Sequence, residues 1–142
     1  MTRLFAAVMI LTAAAVAVAD ETPNINPGLW KHDTTMTFMG DFPIPDQKQS
    51  EEQCVTAEEI AKGGNFLDDV GEECAISRQE IHRDGMILAM TCAQQGMQVS
   101  MIADMNFNGD QVDGMINSEM ETPMGPMQAR IEISGQRVGD CD

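Results

Sequence analysis

The residues of this 142-residue chain best able to do chemistry are thirteen methionines, four cysteines and two histidines. Five of the methionines, Met86, Met90, Met97, Met101 and Met105, fall within one stretch, MILAMTCAQQGMQVSMIADMNF. Thioethers suit Cu(I), provided a third soft or imidazole ligand joins them. They are equally good as flexible apolar filler. Geometry decides between the two roles. A helix would align the five methionines in a stripe, but it would have to run through Gln94-Gln95-Gly96. As strands, Met86, Leu88, Met90 and Cys92 share one face before the reversal. Met97, Val99, Met101, Ala103, Met105 and Phe107 share one after it. A two-residue loop at Gln95-Gly96 then sets Met90 opposite Met101, Leu88 opposite Ala103 and Met86 opposite Met105.

Methionines four positions apart on one strand lie about 13 Å apart, too far to share an ion. The cross-strand pair Met90/Met101 comes within about 5 Å at Cβ. Neither His32 nor His82 has an assignable place beside it. With no tyrosine, one tryptophan and five phenylalanines in the whole chain, the interior needs a filler, and methionine as core packing is the leading reading. Copper or other soft-metal handling through Met90, Met101 and His32 is the alternative.

The cysteines are Cys54, Cys74, Cys92 and Cys141. An even number in an exported chain reads as two disulfides, with three connectivities open in principle. Cys54–Cys74 with Cys92–Cys141 is the expected pairing, since the first would close a local excursion and the second would pin the C-terminus to the sheet. Without a C-x-x-C, zinc is disfavoured. Other chemistry is weaker still. Asp104-Met105-Asn106-Phe107-Asn108-Gly109 imitates the start of a calcium loop, but its twelfth position is Met115 where a bidentate Glu is needed. No serine has a G-x-S-x-G setting, and His82 near Glu80 reads as a surface pair. The expectation is a protein that is not an enzyme and carries no cofactor and no metal.

The elements that would position these residues begin after a leader. Residues 1–19 carry Arg3, then an apolar run, then Ala17-Val18-Ala19, as in a secretory signal with an A-x-A cleavage site. Residues 20–142 are then expected to be one exported domain, periplasmic or secreted, with no further membrane span. The formal net charge is −15, and loss of Arg3 with the leader makes the domain more acidic by one. Such a surface repels nucleic acid and anionic membranes.

Alternation from Gly28 to Met39 reads as a strand and QKQSEEQCV as an edge strand. Thr56-Ala57-Glu58-Glu59 is a capping box opening a short helix near residues 57–63, and Asn65 to Glu73 is ambiguous. Asp84-Gly85, Gln95-Gly96, Asn108-Gly109 and Pro123–Pro126 then punctuate five strands, Cys74–His82, Met86–Ala93, Met97–Phe107, Gln111–Met120 and Met127–Val138. The Asn108-Gly109 turn is expected to pair Met105 with Val112, Met101 with Ile116 and Met97 with Met120.

The fold class that follows is mainly β, an antiparallel meander curling into a lipocalin-like half-barrel or small barrel. Its candidate interior face is Trp30, Met86, Met90, Val99, Met101, Met105 and Ile116. That face must be covered, by curling or by dimerisation. The expected partner is a small apolar ligand or another envelope protein.

Several motifs taken in order resemble the bacterial exported family called domain of unknown function 3617. They are Asn26-Pro27-Gly28-Leu29-Trp30, then Gln53-Cys54-Val55-Thr56-Ala57-Glu58-Glu59, a second cysteine at Cys74, and the closing Gly135-Gln136-Arg137-Val138-Gly139-Asp140-Cys141. The family's Met-Pro-rich segment after the first strand corresponds to residues 38–45, which hold fewer methionines here. The resemblance implies an exported, disulfide-bonded domain. It supplies no activity and therefore no site residues.

Overall fold

The computed structural model describes residues 21–41, 43–62, 73–94 and 96–142. The expected leader, Gly63-Gly64 and most of the ambiguous segment before Cys74 lie outside them. Seven strands and one helix follow in the order β1 (Gly28–Met39), β2 (Gln47–Val55), α1 (Ala57–Ala61), β3 (Cys74–His82), β4 (Gly85–Gln94), β5 (Met97–Asn108), β6 (Gln111–Thr122) and β7 (Gly125–Gly139). All pairings are antiparallel. The sheet order is β2-β1-β7-β6-β5-β4-β3, so β2 and β3 are edges and the sheet is not closed into a barrel. The five-strand meander is as the turn residues indicate. What local signals do not carry is that its last strand, β7, pairs with β1 over Leu29 to Met39.

The β4–β5 register is the expected one, with Met90 opposite Met101, Leu88 opposite Ala103 and Met86 opposite Met105. The next hairpin differs. Asn108 pairs with Gln111, so the loop is Gly109-Asp110, and Met105 faces Gly114, Met101 faces Ser118 and Val99 faces Met120. Gly109, with φ of 66°, takes the first loop position because it adopts this backbone at no steric cost. The register moves by two residues. A shift of two keeps every side chain on its face, so the apolar set survives the correction.

Both disulfides correct the expected connectivity: they are Cys54–Cys141 and Cys74–Cys92. The reason lies in the pairing of β1. Leu29 is flanked by Cys54 on β2 and by Gly139 on β7, which carries the C-terminal Cys141 to the end of β2. Cys74 and Cys92 are direct partners on β3 and β4.

The helix opens as its sequence indicates. Thr56 Oγ1 accepts from the Glu59 amide (3.2 Å), and Glu59 Oε2 accepts from the Thr56 amide (2.7 Å). It ends at Lys62 as C-cap, and Ile60 is its buried residue.

One end of the sheet, here the lower end, holds the start of β1, the end of β7, α1, and the β3–β4 and β5–β6 turns. A strap of residues 21–27 crosses it. The Asn24 amide donates to the Arg83 carbonyl (2.7 Å), the Gly109 amide to the Asn24 carbonyl (2.8 Å), and the Asn26 amide to the Gly109 carbonyl (2.9 Å). Beneath the strap lies the core, Trp30, Ile81, Met86, Met105, Phe107 and Val112, with Ile25, Val55 and Ile133 against it. Trp30 on β1 and Ile81 on β3 have four strands between them in the sheet yet belong to one buried cluster. Burial of that depth on a single layer requires the sheet to curl over its own face, as a half-barrel does.

Candidate functional site

Direct cross-strand partners project to the same side of a sheet, so the registers assign a continuous inner face. One row runs Leu88, Ala103, Ile116, Ile131, Met36; the next runs Met90, Met101, Ser118, Ala129, Phe38. Val99, Met120 and Met127 form the row above. The expected interior residues therefore do share one face, but they divide by depth. Trp30 and Met105 are 1% exposed, Met86 2% and Val99 8%; these are core. Met90, Met101 and Ile116 are half-buried.

The upper rows carry further apolar side chains that the β4–β5–β6 pattern does not reveal. Met36, Phe38, Met127 and Ile131 are half-buried; Met127 and Ile131 join the face through the β6–β7 pairing, and Met36 and Phe38 through β1–β7. At the upper end Ile76, the partner of Met90, and Met124 in the β6–β7 turn are exposed, while Met39 pairs with Gln128 and faces the other side of the sheet. Between β4 and β1, and over four residues of strand, the upper face measures about 19 Å by 13 Å at the usual strand spacing and rise.

Polar chemistry lies elsewhere. No polar or charged side chain is buried among the described residues, nor is any group of three or more His, Cys, Asp or Glu placed to hold a metal. His32 stacks on Trp30, with ring centroids 6.1 Å apart and 13° between planes. It packs over Gly135, where a Cβ would come within 2.9 Å of Nδ1. His32 sits in the row of Gly135, Val112 and Phe107. Met101 is six residues further along the strand, about 20 Å away, so the imidazole does not reach the Met90/Met101 pair.

Glu80 is paired with Arg78 (2.7 Å) on the exposed face of β3. That hydrogen bond holds the Glu80 carboxyl below its ordinary value and raises the guanidinium. Favouring the charged forms of both, it suits a surface ion pair and not a general base for His82. The apparent calcium loop is the end of β5 and the β5–β6 turn.

The signature motifs meet at the lower end, away from this face. Arg137 Nε donates to the Pro27 carbonyl (2.8 Å), its guanidinium also binds Asp140, and Trp30 Nε1 donates to the Asn26 carbonyl (2.9 Å). With Cys54–Cys141 they clamp the strap, β2 and the C-terminus together. These contacts tie the motif residues into the fold.

An open antiparallel sheet with a packed lower core and a half-exposed apolar upper face defines the class of protein. The family model described as "Protein of unknown function (DUF3617)" matches residues 25–141, and the chain belongs to that family. No curated protein and no solved structure matches it.

Proposed function

We propose that this chain is an exported, periplasmic or secreted, non-catalytic domain that holds a small apolar ligand on the upper part of its inner face. One observation carries the reading: on one continuous apolar face, Met90, Met101, Ile116 and Phe38 stay half-exposed although Leu88, Cys92, Val99 and Ala103 in the same and adjoining rows are buried. Apolar surface left open beside a complete core is what a binding site needs and what a purely structural sheet avoids. Export is supported by the leader-like residues 1–19 and by two disulfides. No helix among the described residues is long and apolar enough to cross a membrane.

The test is extraction of the protein from its native compartment, with mass spectrometry of the organic phase, beside titration with the neutral dye Nile red. A co-purifying apolar molecule and a dye site lost in Met101→Gln support the reading. An empty protein whose dye signal ignores that substitution overturns it.

A second reading is soft-metal handling. It is favoured by two directly paired sets of thioethers on the same upper face, Met90/Met101 and Met120/Met127. Cu(I) titration of Met90→Leu/Met101→Leu distinguishes it, because an unchanged tight site would rule the thioethers out.

A further inference from the structure

The methionines of the domain divide by exposure. Met86 and Met105 are buried in the lower core. Met36, Met90, Met97, Met101, Met120 and Met127 are half-buried, and the registers put all of them on the inner face. Met90 faces Met101, and Met120 faces Met127, across neighbouring strands. Met97 has the parity of Val99, the partner of Met120, and Met36 lies in the row of Ile131. Met39 and Met115 are on the other side of the sheet, and Met124 is in the β6–β7 turn. The rest of the chain offers an oxidant little else. All four cysteines are closed in disulfides, there is no tyrosine, and the one tryptophan, Trp30, is 1% exposed. With no thiol to compete, thioethers are the side chains that a two-electron oxidant reaches first.

We propose that the half-buried inner-face methionines are a reversible oxidation site, which a peroxide converts to sulfoxides and so turns the upper inner face from apolar to polar. In each step a sulfur lone pair attacks one peroxide oxygen. The S–O bond forms as the O–O bond breaks, sulfur gives up two electrons, and the second oxygen departs as hydroxide and takes the remaining proton to leave as water. In the reverse step a sulfoxide reductase spends two thiols, which become a disulfide, and the oxygen leaves as water. A sulfoxide on this face sets a strong dipole against any apolar ligand, with no partner to satisfy it. Loss of ligand on oxidation rests on the apolar-ligand reading above; the selectivity and reversibility of the oxidation do not. Met86 and Met105, packed with Trp30 beneath the strap, are out of reach, so the fold outlasts the change on the face.

The test uses the mature chain with both disulfides intact, titrated with hydrogen peroxide. Peptide mass mapping follows each methionine, circular dichroism follows the fold, and Nile red with dodecanol, a neutral alkyl probe, follows binding. The face methionines are expected to take up oxygen at least about tenfold faster than Met86 and Met105, since susceptibility follows exposure. Probe affinity is expected to fall about tenfold, the scale of an unpaired polar group against an apolar one. Methionine sulfoxide reductases with dithiothreitol are expected to restore both. Met90→Leu/Met101→Leu/Met120→Leu/Met127→Leu, changes that nearly conserve volume, should keep its affinity through the same dose, whereas Met39→Leu/Met115→Leu/Met124→Leu should lose it as the unaltered protein does. Oxidation of the core pair as fast as the face, sulfoxides that the reductases cannot remove, or unfolding at the dose that modifies the face overturns the site. Equal loss of binding in the inner-face leucine variant overturns its role as a switch. If the unoxidised protein binds neither probe, the apolar-ligand reading fails, and the mapping alone decides the oxidation site.

Discussion

At Gly28 side-chain and backbone demands collide. Its φ of 150° is one that L side chains rarely adopt, and a Cβ there would overlap the Gly139 carbonyl oxygen and lie 2.5 Å from Arg137 Nε. The guanidinium cannot swing clear without releasing the Pro27 carbonyl and Asp140. Gly28→Ala is therefore expected to destabilise the fold by about 2–4 kcal/mol, from backbone strain and overpacking together. A lower urea midpoint at unchanged slope reports it; a loss below about 0.5 kcal/mol, the scale of an ordinary surface substitution, would mean the clamp yields freely. The motif containing Gly28 is visible in the sequence, but its reason is not, because the atoms that forbid a side chain belong to the other end of the chain. The same holds for His32. Its type suggests a metal ligand, while Trp30 and Gly135, which commit it to stacking, become its neighbours only through pairing.

Elements were legible wherever a local rule determines them. Alternation and turn residues place the seven strands, and Thr56 with Glu59 places α1. The errors came from long-range partnership and from the position of a turn within its loop. Sequence spacing does not choose the disulfide connectivity, because the partner of Cys54 is set by β1, which lies between β2 and the C-terminal strand and so brings Cys141 to it. That strand pairing also gives each disulfide a distinct task. Cys54–Cys141 closes a separation of 87 residues and is worth about 4.6 kcal/mol by chain entropy; Cys74–Cys92 closes 18 and is worth about 3.2 kcal/mol. β3 pairs only with β4, and Ala75 to Gln79 are all exposed. Its upper half is held by the ladder and by one covalent bond. In Cys74→Ser/Cys92→Ser, stability is expected to fall by about 3 kcal/mol, and amide exchange should accelerate in residues 75–79 ahead of β5 and β6. Uniform acceleration across the sheet would show instead that β3 opens only with global unfolding.

Across the whole molecule, the packed core lies toward the lower end of the inner face and the proposed site toward the upper end. The sequence places Met86, Met90, Met101 and Met105 together, since parity reports the side of a sheet. Parity carries nothing about a residue's place on that face, and burial varies across it: Val99 and Cys92 are buried above half-buried Met90 and Met101. The strap, the Cys54–Cys141 bond and the Arg137 clamp all gather at the lower end, leaving the upper rows without a comparable cover among the described residues. Truncating a buried methionine removes its transfer free energy and leaves a cavity, so Met105→Ala is expected to cost about 2–5 kcal/mol. Met101→Gln changes a side chain already half in water and is expected to cost under about 1 kcal/mol. Ligand binding should report the reverse order. Any molecule that binds only the folded state at a hundred times its Kd adds about 2.7 kcal/mol of stability, so saturating alkyl probe should raise the urea midpoint of Met105→Ala as much as that of the unaltered protein. Met101→Gln should lose that increment while keeping its own midpoint. If the two substitutions cost alike and respond alike to the probe, the inner face is one undivided core, and the upper rows have no claim to be a site.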